Sequence, residues 1–208
     1  MPAIELGHSE DRTKPVEHFR PAYLLFRWAW ASLDWLLPPH CGGCGQPGSR
    51  WCTVCQGQVA LVPAQVCPCC GQAQDPARLC PACRASPPGF TALRSWAFYG
   101  GPLQQAIKAL KYRGDVALGE ILARPLIQRL FELDWKIDLV VPVPAGAARQ
   151  AQRGYNQAAL LARPVALGCG LRYNSHALVK MRETRSQVGL TRRERQINVL
   201  DAFRADAK

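Results

Sequence analysis

The chain has 208 residues, enough for one α/β core with a smaller module beside it. Its formal net charge of +11 and its pI near 9.5 predict attraction to phosphates, whether in nucleic acid or in a small phosphorylated molecule. The polar residues 1–20, which we expect to be disordered, contain no secretion signal, and no apolar run reaches the roughly 18 residues of a membrane span. We therefore expect a cytoplasmic protein whose cysteines are reduced.

The first predicted element, in residues 21–38, is an amphipathic helix from Pro21 to Leu37 that is ended by Pro38 and Pro39. Its apolar side chains recur at helical spacing: Leu24, Trp28, Ala31 and Trp35. This face predicts a helix that packs on the protein core. A helix lying on a membrane surface is the alternative, but the polar face lacks the cluster of Lys and Arg that this role favours.

Nine of the ten cysteines lie between Cys41 and Cys83, and eight of them form four Cys-x-x-Cys knuckles. The knuckle cysteines are Cys41, Cys44, Cys52, Cys55, Cys67, Cys70, Cys80 and Cys83. Four thiolates complete a tetrahedral zinc site, so residues 39–86 are predicted to form a double zinc ribbon with two structural zinc ions. Spacing permits the first knuckle to pair with the second or with the third. An iron–sulfur cluster and redox disulfides are the alternatives to zinc.

After a linker at Ala85–Gly89, the pattern predicts a strand and two helices. The strand is expected at Leu93–Tyr99, where apolar and polar residues alternate. The first helix begins at Pro102 and carries an apolar stripe of Leu103, Ile107 and Leu110. The second helix is expected from Ala117 to Phe131, with a kink at Pro125.

The stretch from Asp138 to Ala162 organises the remainder of the chain. It begins with a short apolar run that is rich in β-branched residues: Leu139, Val140, Val141 and Val143. This run predicts a buried strand, which Pro142 and Pro144 end. A loop rich in small and basic residues follows: Ala145, Gly146, Arg149, Arg153 and Gly154. A helix is predicted from Asn156. A loop at the carboxyl end of a strand and before a helix is suited to binding an anion; an ordinary solvated loop is the alternative.

The last part of the chain is strongly basic. A strand is expected at His176–Met181. Residues 180–198 then concentrate six basic side chains and two neutral hydrogen-bonding ones: Lys180, Arg182, Arg185, Arg192, Arg193 and Arg195, with Gln187 and Asn198. This segment is predicted to be a mobile loop that closes over a polyanion, or alternatively a solvated helix from Thr191 onward. Residues 199–203 return to an apolar pattern.

Taken together, these motifs resemble the ComF family. The resemblance is carried by the four knuckles, by Gly101-Pro102-Leu103 and Leu110-Lys111-Tyr112, by Val-Pro-Val-Pro at 141–144, and by Arg-Gly-Tyr-Asn-Gln-Ala at 153–158. A later pattern agrees with it: Arg182, Thr184, Gln187, Leu190, Arg195, Asn198, Val199 and Ala202-Phe203.

The resemblance implies a type I phosphoribosyltransferase-like parallel sheet over residues 90–208, preceded by the zinc ribbons. It implies that Ala145, Gly146, Arg149, Arg153 and Gly154 hold the pyrophosphate of phosphoribosyl pyrophosphate (PRPP) with magnesium. It also implies that Arg182, Arg185 and Gln187 act as catalytic residues. In such a reaction pyrophosphate leaves an oxocarbenium-like sugar, so positive charge and exclusion of water matter more than a nucleophile.

Two departures from the family pattern bear on this interpretation. Small residues at 145–148 stand where the family has a His and basic residues. The acidic Thr-Thr-Gly loop that contacts the ribose and its 5-phosphate is absent, so we interpret the domain as truncated before its PRPP loop.

The resemblance implies a role in DNA uptake during natural competence, with Mg-PRPP binding or transfer in the complete form. The alternative is a protein that is not an enzyme and that binds single-stranded DNA or a partner protein of the uptake machinery. The basic segment 180–196 contains no aromatic residue for base stacking, which favours a small phosphorylated ligand for that segment.

Overall fold

The computed structural model describes residues 20–36, 38–133 and 135–206, with residues 30–36 described by their backbone alone. In the order of the chain, the elements are α1 (Pro21–Leu36), α2 (Thr53–Gly57), α3 (Pro81–Ala85), α4 (Gly101–Tyr112), α5 (Leu118–Glu132), β1 (Leu139–Val140), α6 (Ala147–Arg153), α7 (Gln157–Cys169), β2 (Arg172–Tyr173), β3 (Leu178–Lys180), α8 (Arg192–Val199) and β4 (Phe203–Ala205). None of the helices in these ranges has both the length and the apolar character needed to cross a bilayer. The stretch predicted to be disordered lies, except for Arg20, outside the described residues.

The first helix is present, but a different face of it is buried. Tyr23 is fully buried and packs with Ala123 and Ile127 of α5 and with Val165 of α7. Leu24 and Trp28 of the predicted packing face are 39% and 74% exposed. The predicted orientation is therefore wrong at these two positions, because the phenol of Tyr23 is drawn to a buried carboxylate on α5. The side chains of Ala31 and Trp35 lie outside the described part.

The strand predicted at Leu93–Tyr99 is not formed. This segment makes one isolated bridge, between Ala97 and Leu61, and two flanking backbone hydrogen bonds: from the Val62 N–H to the Trp96 carbonyl, and from the Phe98 N–H to the Ala60 carbonyl. The predicted strand is thus reduced to this short pairing with residues 60–62, while the Leu93 N–H at its start donates to the Cys69 carbonyl at 2.7 Å.

Helices α4 and α5 form the main apolar core with α7. Leu103, Ala106 and Leu110 of α4 are buried against Leu118 and Leu122 of α5. Helix α5 continues through Pro125. Its contact with α7 is close, because a Cβ at Gly119 would lie 2.8 Å from the Cβ of Leu160. The two predicted helices are thus present, with their apolar stripes facing each other.

Strand β1 pairs in parallel with β2, in the register Leu139 to Arg172 and Val140 to Tyr173. The connection between them contains α6 and α7, as a parallel crossover requires. Helix α7 begins at the cap residue Asn156, whose side chain accepts a hydrogen bond from the Ala158 N–H at 3.0 Å. Helix α6 was not predicted; Ala147, Ala148 and Ala151 give this loop a high helix propensity. The predicted strand is shortened to two residues ahead of Pro142.

A second two-stranded sheet closes the described region. Strand β3 pairs antiparallel with β4, with Leu178 opposite Ala205 and Lys180 opposite Phe203. Between them, α8 begins with a capping box formed by Thr191 and Glu194. Within the described ranges the strands make these two pairs. The fold is therefore mainly helical with small sheets, and the only parallel pairing among the described residues is β1 with β2.

Candidate metal centres and anion-binding cleft

Each ribbon brings together the four sulfurs of two consecutive knuckles. The first set is Cys41, Cys44, Cys52 and Cys55, and the second is Cys67, Cys70, Cys80 and Cys83. Within each set, all the sulfur atoms lie within 4.8 Å of one another. The first knuckle therefore pairs with the second and the third with the fourth, and the interleaved pairing is wrong.

The sulfur separations fit a tetrahedral zinc ion. The Sγ atoms of Cys44 and Cys52 are 3.8 Å apart, and those of Cys70 and Cys80 are 3.7 Å apart. Zn–S bonds of about 2.3 Å give a tetrahedron with edges of about 3.8 Å. A disulfide bond would bring two sulfurs to about 2.0 Å, and all ten cysteines are free. Both sets therefore fit a four-thiolate zinc site, which leaves no open coordination position for a substrate.

The local backbone prepares the sulfurs for a cation. Cys52 and Cys80 are the N-cap residues of α2 and α3, and each accepts a hydrogen bond from the N–H three residues later. Donation from the Cys80 N–H, aided by other N–H groups of the knuckle, lowers the pKa of the Cys67 thiol to about 6. Burial acts to raise the pKa of the Cys41 thiol, but backbone N–H donors outweigh it and lower that pKa to about 6. In each cluster the backbone N–H groups thus favour the thiolate form of a cysteine, which is the form that binds zinc.

The first cluster is attached directly to the helical core. A Cβ at Gly43 would lie 2.7 Å from the Cys55 Sγ and 2.9 Å from the Cβ of Pro102 at the start of α4. A Cβ at Gly42 would lie 2.7 Å from the side chain of Leu118. The first knuckle therefore needs glycine at both positions to approach α4 and α5.

A cleft of about 450 Å³, lined by polar and apolar residues, lies at the carboxyl end of β1. One side is formed by Pro144, Ala145, Ala147 and Gln150, where the predicted loop leads into α6. The other side is formed by residues 175–176 and 178–183 around β3. The structure thus brings the small-residue loop and the beginning of the basic segment to one site, although 30 residues or more separate them in the sequence.

The carboxylate of Glu183 contacts the loop that leads into α6. Glu183 Oε1 accepts a hydrogen bond from the Ala148 N–H at 3.4 Å, and Glu183 Oε2 lies 3.5 Å from the Lys180 Nζ. A Cβ at Gly146 would collide with both the Glu183 carboxylate and the Lys180 ammonium. Desolvation acts to raise the pKa of the Glu183 carboxyl, but the Ala148 N–H and the Lys180 charge outweigh it and lower that pKa. The loop therefore already holds one anion.

The three residues expected to be catalytic all belong to the basic segment, but they make different contacts. The Nη2 of Arg182, which lines the cleft, donates to the carbonyls of Leu200 at 2.6 Å and Asn198 at 3.3 Å. Arg185 Nη2 lies 3.6 Å from Glu194 Oε1, at the start of α8. Gln187 is half-buried in the connection before α8. Arg182 and Arg185 thus connect the beginning of the basic segment to α8 and to the residues that follow it.

The residues expected to form the pyrophosphate loop are divided between two places. Ala145 lines the cleft, and Gly146 contacts Glu183 beside it. Arg153 and Gly154 lie at the far end of α6, where the Arg153 guanidinium is over the ring of Tyr112. Arg149 is half-buried on α6 and is not among the residues that line the cleft.

Sequence reasoning missed a buried polar network between α1 and α5. Glu120 is 4% exposed and accepts a hydrogen bond from the Tyr23 hydroxyl at 2.8 Å and from Arg124 Nη2 at 2.7 Å. Arg27 Nε lies 3.7 Å from the same carboxylate. Burial, followed by the charge of Glu120, raises the pKa of the Tyr23 phenol, which keeps the hydroxyl protonated as a donor. The four-residue spacing of Glu120 and Arg124 was the available signal.

The comparisons with known proteins agree with the metal centres. The model of the double zinc ribbon domain family matches residues 32–84. The chain is 32% identical over 180 residues to the DNA utilization protein YhgH of Salmonella typhimurium, which covers 82% of this chain and 79% of the relative. It is 28% identical to competence protein F of Haemophilus influenzae over 73% of this chain and 68% of that one. Competence protein ComFC of Bacillus subtilis is 26% identical over 65% of this chain and 58% of that one. No solved structure matches the chain.

Proposed function

The chain belongs to the ComF family, and we propose that its cleft at the carboxyl end of β1 binds the pyrophosphate group of Mg-PRPP. The observation that carries this proposal is Glu183, whose carboxylate rests on the Ala148 N–H and beside Lys180. A group of negative oxygens is held there by a backbone donor and an ammonium. A phosphate offers the same chemistry with more charge and more acceptor oxygens.

The parallel pair β1–β2 supports this placement, because ligands in α/β folds bind outside the carboxyl ends of parallel strands. We interpret this pair as part of the phosphoribosyltransferase-like sheet that the ComF resemblance implies over residues 90–208. Lys180, 8% exposed, is held at the cleft by its position at the end of β3, where it would face the departing pyrophosphate. Magnesium would neutralise the oxygens of the ligand when bound. Arg182, Arg185 and Gln187 would then act by ordering the segment that covers the cleft.

The zinc ribbons at 39–86 have a structural role in this proposal, and two zinc ions are the expected complement. Because four free thiolates per site require reducing conditions, we place the protein in the cytoplasm.

The test is thermal unfolding of the zinc-loaded chain with magnesium, with magnesium and pyrophosphate, and with magnesium and PRPP. Binding at 100 times the dissociation constant stabilises a protein by about 2.7 kcal/mol, which raises the midpoint by several degrees. Gly146→Ala should remove most of this shift, since its Cβ would occupy the anion position. Lys136→Ala, an exposed change outside the cleft, is the matched control. A midpoint that PRPP and pyrophosphate leave unchanged would refute the proposal.

A second candidate function is binding of single-stranded DNA, alone or with proteins of an uptake machinery. The formal charge of +11 and the relatives that are named for DNA utilization and competence favour it. It predicts binding of an oligonucleotide that weakens steeply with added salt. Binding that is absent at low salt would exclude this function without affecting the PRPP test.

A further inference from the structure

A second cavity, with a mainly polar lining, lies apart from the cleft, where the end of α4 meets the turn between α6 and α7. Its volume is about 350 Å³, within the range of about 300–1,000 Å³ that is usual for ligand sites. The lining residues are Lys111, Tyr112, Arg113, Gly114, Gln152, Arg153 and Tyr155. The Tyr155 hydroxyl donates to the Leu110 carbonyl at 2.5 Å and so fixes the two segments to each other. The cavity is therefore built from ordered parts of the fold.

An aromatic ring and a guanidinium are already aligned in this cavity. The Arg153 guanidinium carbon lies 5.1 Å from the centroid of the Tyr112 ring. Arg153 Nη1 donates to Gln157 Oε1 at 2.9 Å, which holds the guanidinium in place. Tyr112 itself is 70% exposed, so much of its ring is available to a ligand. A flat ligand could stack here without first ordering these side chains, which lowers the entropy cost of binding.

Two positively charged side chains lie beside Tyr112 at the C-terminal end of α4. Lys111 and Arg113 flank Tyr112, and Arg113 is exposed. Among the salt bridges of the described residues, none involves Lys111 or Arg113. Their charges are thus available to the phosphates of a ligand whose flat part contacts the ring.

We propose that Lys111, Tyr112, Arg113 and Arg153 form a stacking platform that binds an unpaired nucleotide of single-stranded DNA. The base stacks on Tyr112 and Arg153, and the adjoining phosphates contact Lys111 and Arg113. Such stacking requires an unpaired base, because the faces of paired bases are covered by their neighbours in a duplex. This inference rests on the second of the two proposed functions and supplies its site. The aromatic residue that the basic segment 180–196 lacks is thereby provided by another part of the chain.

Fluorescence anisotropy with a labelled oligothymidine at low salt tests the platform on the zinc-loaded full chain. Removing one base–aromatic stack costs about 1–3 kcal/mol, so Tyr112→Leu should weaken binding by about 5- to 150-fold. Tyr112→Phe keeps the ring and should bind within about 2-fold of the wild type, as expected if stacking on the ring face supplies the affinity. Tyr99→Leu is the matched control, because Tyr99 is 60% exposed and precedes the opposite end of α4.

Two further measurements separate stacking from charge. An abasic oligonucleotide of the same length should bind the wild type and Tyr112→Leu alike, since it carries phosphates without bases. Lys111→Ala and Arg113→Ala should each lower the slope of log affinity against log salt by about 0.7, and Lys136→Ala should leave it unchanged. Equal oligothymidine binding by the wild type and Tyr112→Leu would overturn the platform while DNA binding stands. Duplex binding as tight as single-strand binding would also overturn it. If the wild type binds no DNA, both the platform and the second candidate function fail, whereas the PRPP test is independent.

Discussion

The buried contact between Tyr23 and Glu120 should be the main polar attachment of α1, and a double-mutant cycle can measure it. Tyr23 is fully buried, and its hydroxyl lies 2.8 Å from Glu120 Oε1. Tyr23→Phe removes the hydroxyl and keeps the ring that packs on Ala123 and Ile127. Glu120→Gln removes the charge and keeps the shape of the side chain. The cycle combines each single change with the double variant.

The magnitude follows from the exposure of the partners. A hydrogen bond to a charged group contributes about 1.5–3 kcal/mol, so Tyr23→Phe should destabilise the protein by about 2 kcal/mol. The side chains of Arg124 and Arg27 are 40% and 37% exposed, so water screens their attraction to Glu120. Water also solvates both guanidinium groups when the charge of Glu120 is removed. We therefore discount the ion pairs to about 1 kcal/mol together. The expected coupling between Tyr23 and Glu120 is about 1–2 kcal/mol.

Urea unfolding with zinc and a reductant present gives the four free energies, and hydrogen exchange of the α1 amides shows where the loss occurs. Both single variants should increase amide exchange more in α1 than in α4. Tyr112→Phe, at a position that is 70% exposed, should change stability by less than about 0.5 kcal/mol. If the effects of the two changes simply add, with coupling below about 0.3 kcal/mol, Tyr23 and Glu120 do not act as a pair and the reasoning is refuted.

Three further outcomes follow from the same structure. Cys44→Ser should lower the zinc content by native mass spectrometry from two ions to one, while Cys69→Ser, outside both ligand sets, should retain two; equal losses would contradict the ligand assignment. Gly146→Ala should raise the pKa of the Glu183 carboxyl toward that of a free glutamate, because the new Cβ would collide with that carboxylate. An NMR titration of the carboxyl signal measures this pKa, and an unchanged titration would mean that the contact does not form in solution. The pKa of Tyr23 is raised on folding, so its contribution to stability is complete below the unfolded value near 10 and is lost as pH rises above it. The urea midpoint should therefore fall less steeply above about pH 10 in Tyr23→Phe than in the wild type, and identical slopes would contradict the assignment of this loss to Tyr23.

The metal centres could be predicted from the sequence because their chemistry is local. A two-residue spacer in a tight turn already directs two sulfurs to one ion, so each knuckle supplies two of the four ligands of a site. Which halves combine was open, since pairing depends on how the chain runs between Cys44 and Cys52 and between Cys70 and Cys80. The helices α4, α5 and α7 were predicted for a similar reason: their apolar stripes repeat within a few turns.

The remaining features depend on residues that are distant in the sequence. Glu183 contacts Ala148 across 35 positions, and Tyr23 contacts Glu120 across 97. The local pattern pairs Glu120 with Arg124 at helical spacing, but it does not show that the pair is buried, and nothing in the local pattern of Glu183 indicates its contact with the loop. The predicted strand at Leu93–Tyr99 failed for a related reason: alternation gives the faces of a strand, but a strand also needs a partner of similar length.

The position of Glu183 gives the cleft a specific electrostatic character. A bound phosphate would meet the Lys180 ammonium and the loop N–H groups, but it would also meet the Glu183 carboxylate, unless that side chain moves away. Glu183 is followed by Thr184 and Arg185, and Arg185 in turn contacts Glu194 at the start of α8. Movement of Glu183 is therefore connected, through a short stretch of backbone, to the segment that we propose covers the ligand. A ligand of high negative charge would displace the carboxylate most readily, because the Lys180 ammonium attracts it more strongly than it attracts a single carboxylate. This favours a pyrophosphate over a single carboxylate or a weakly charged sugar as the occupant of the cleft.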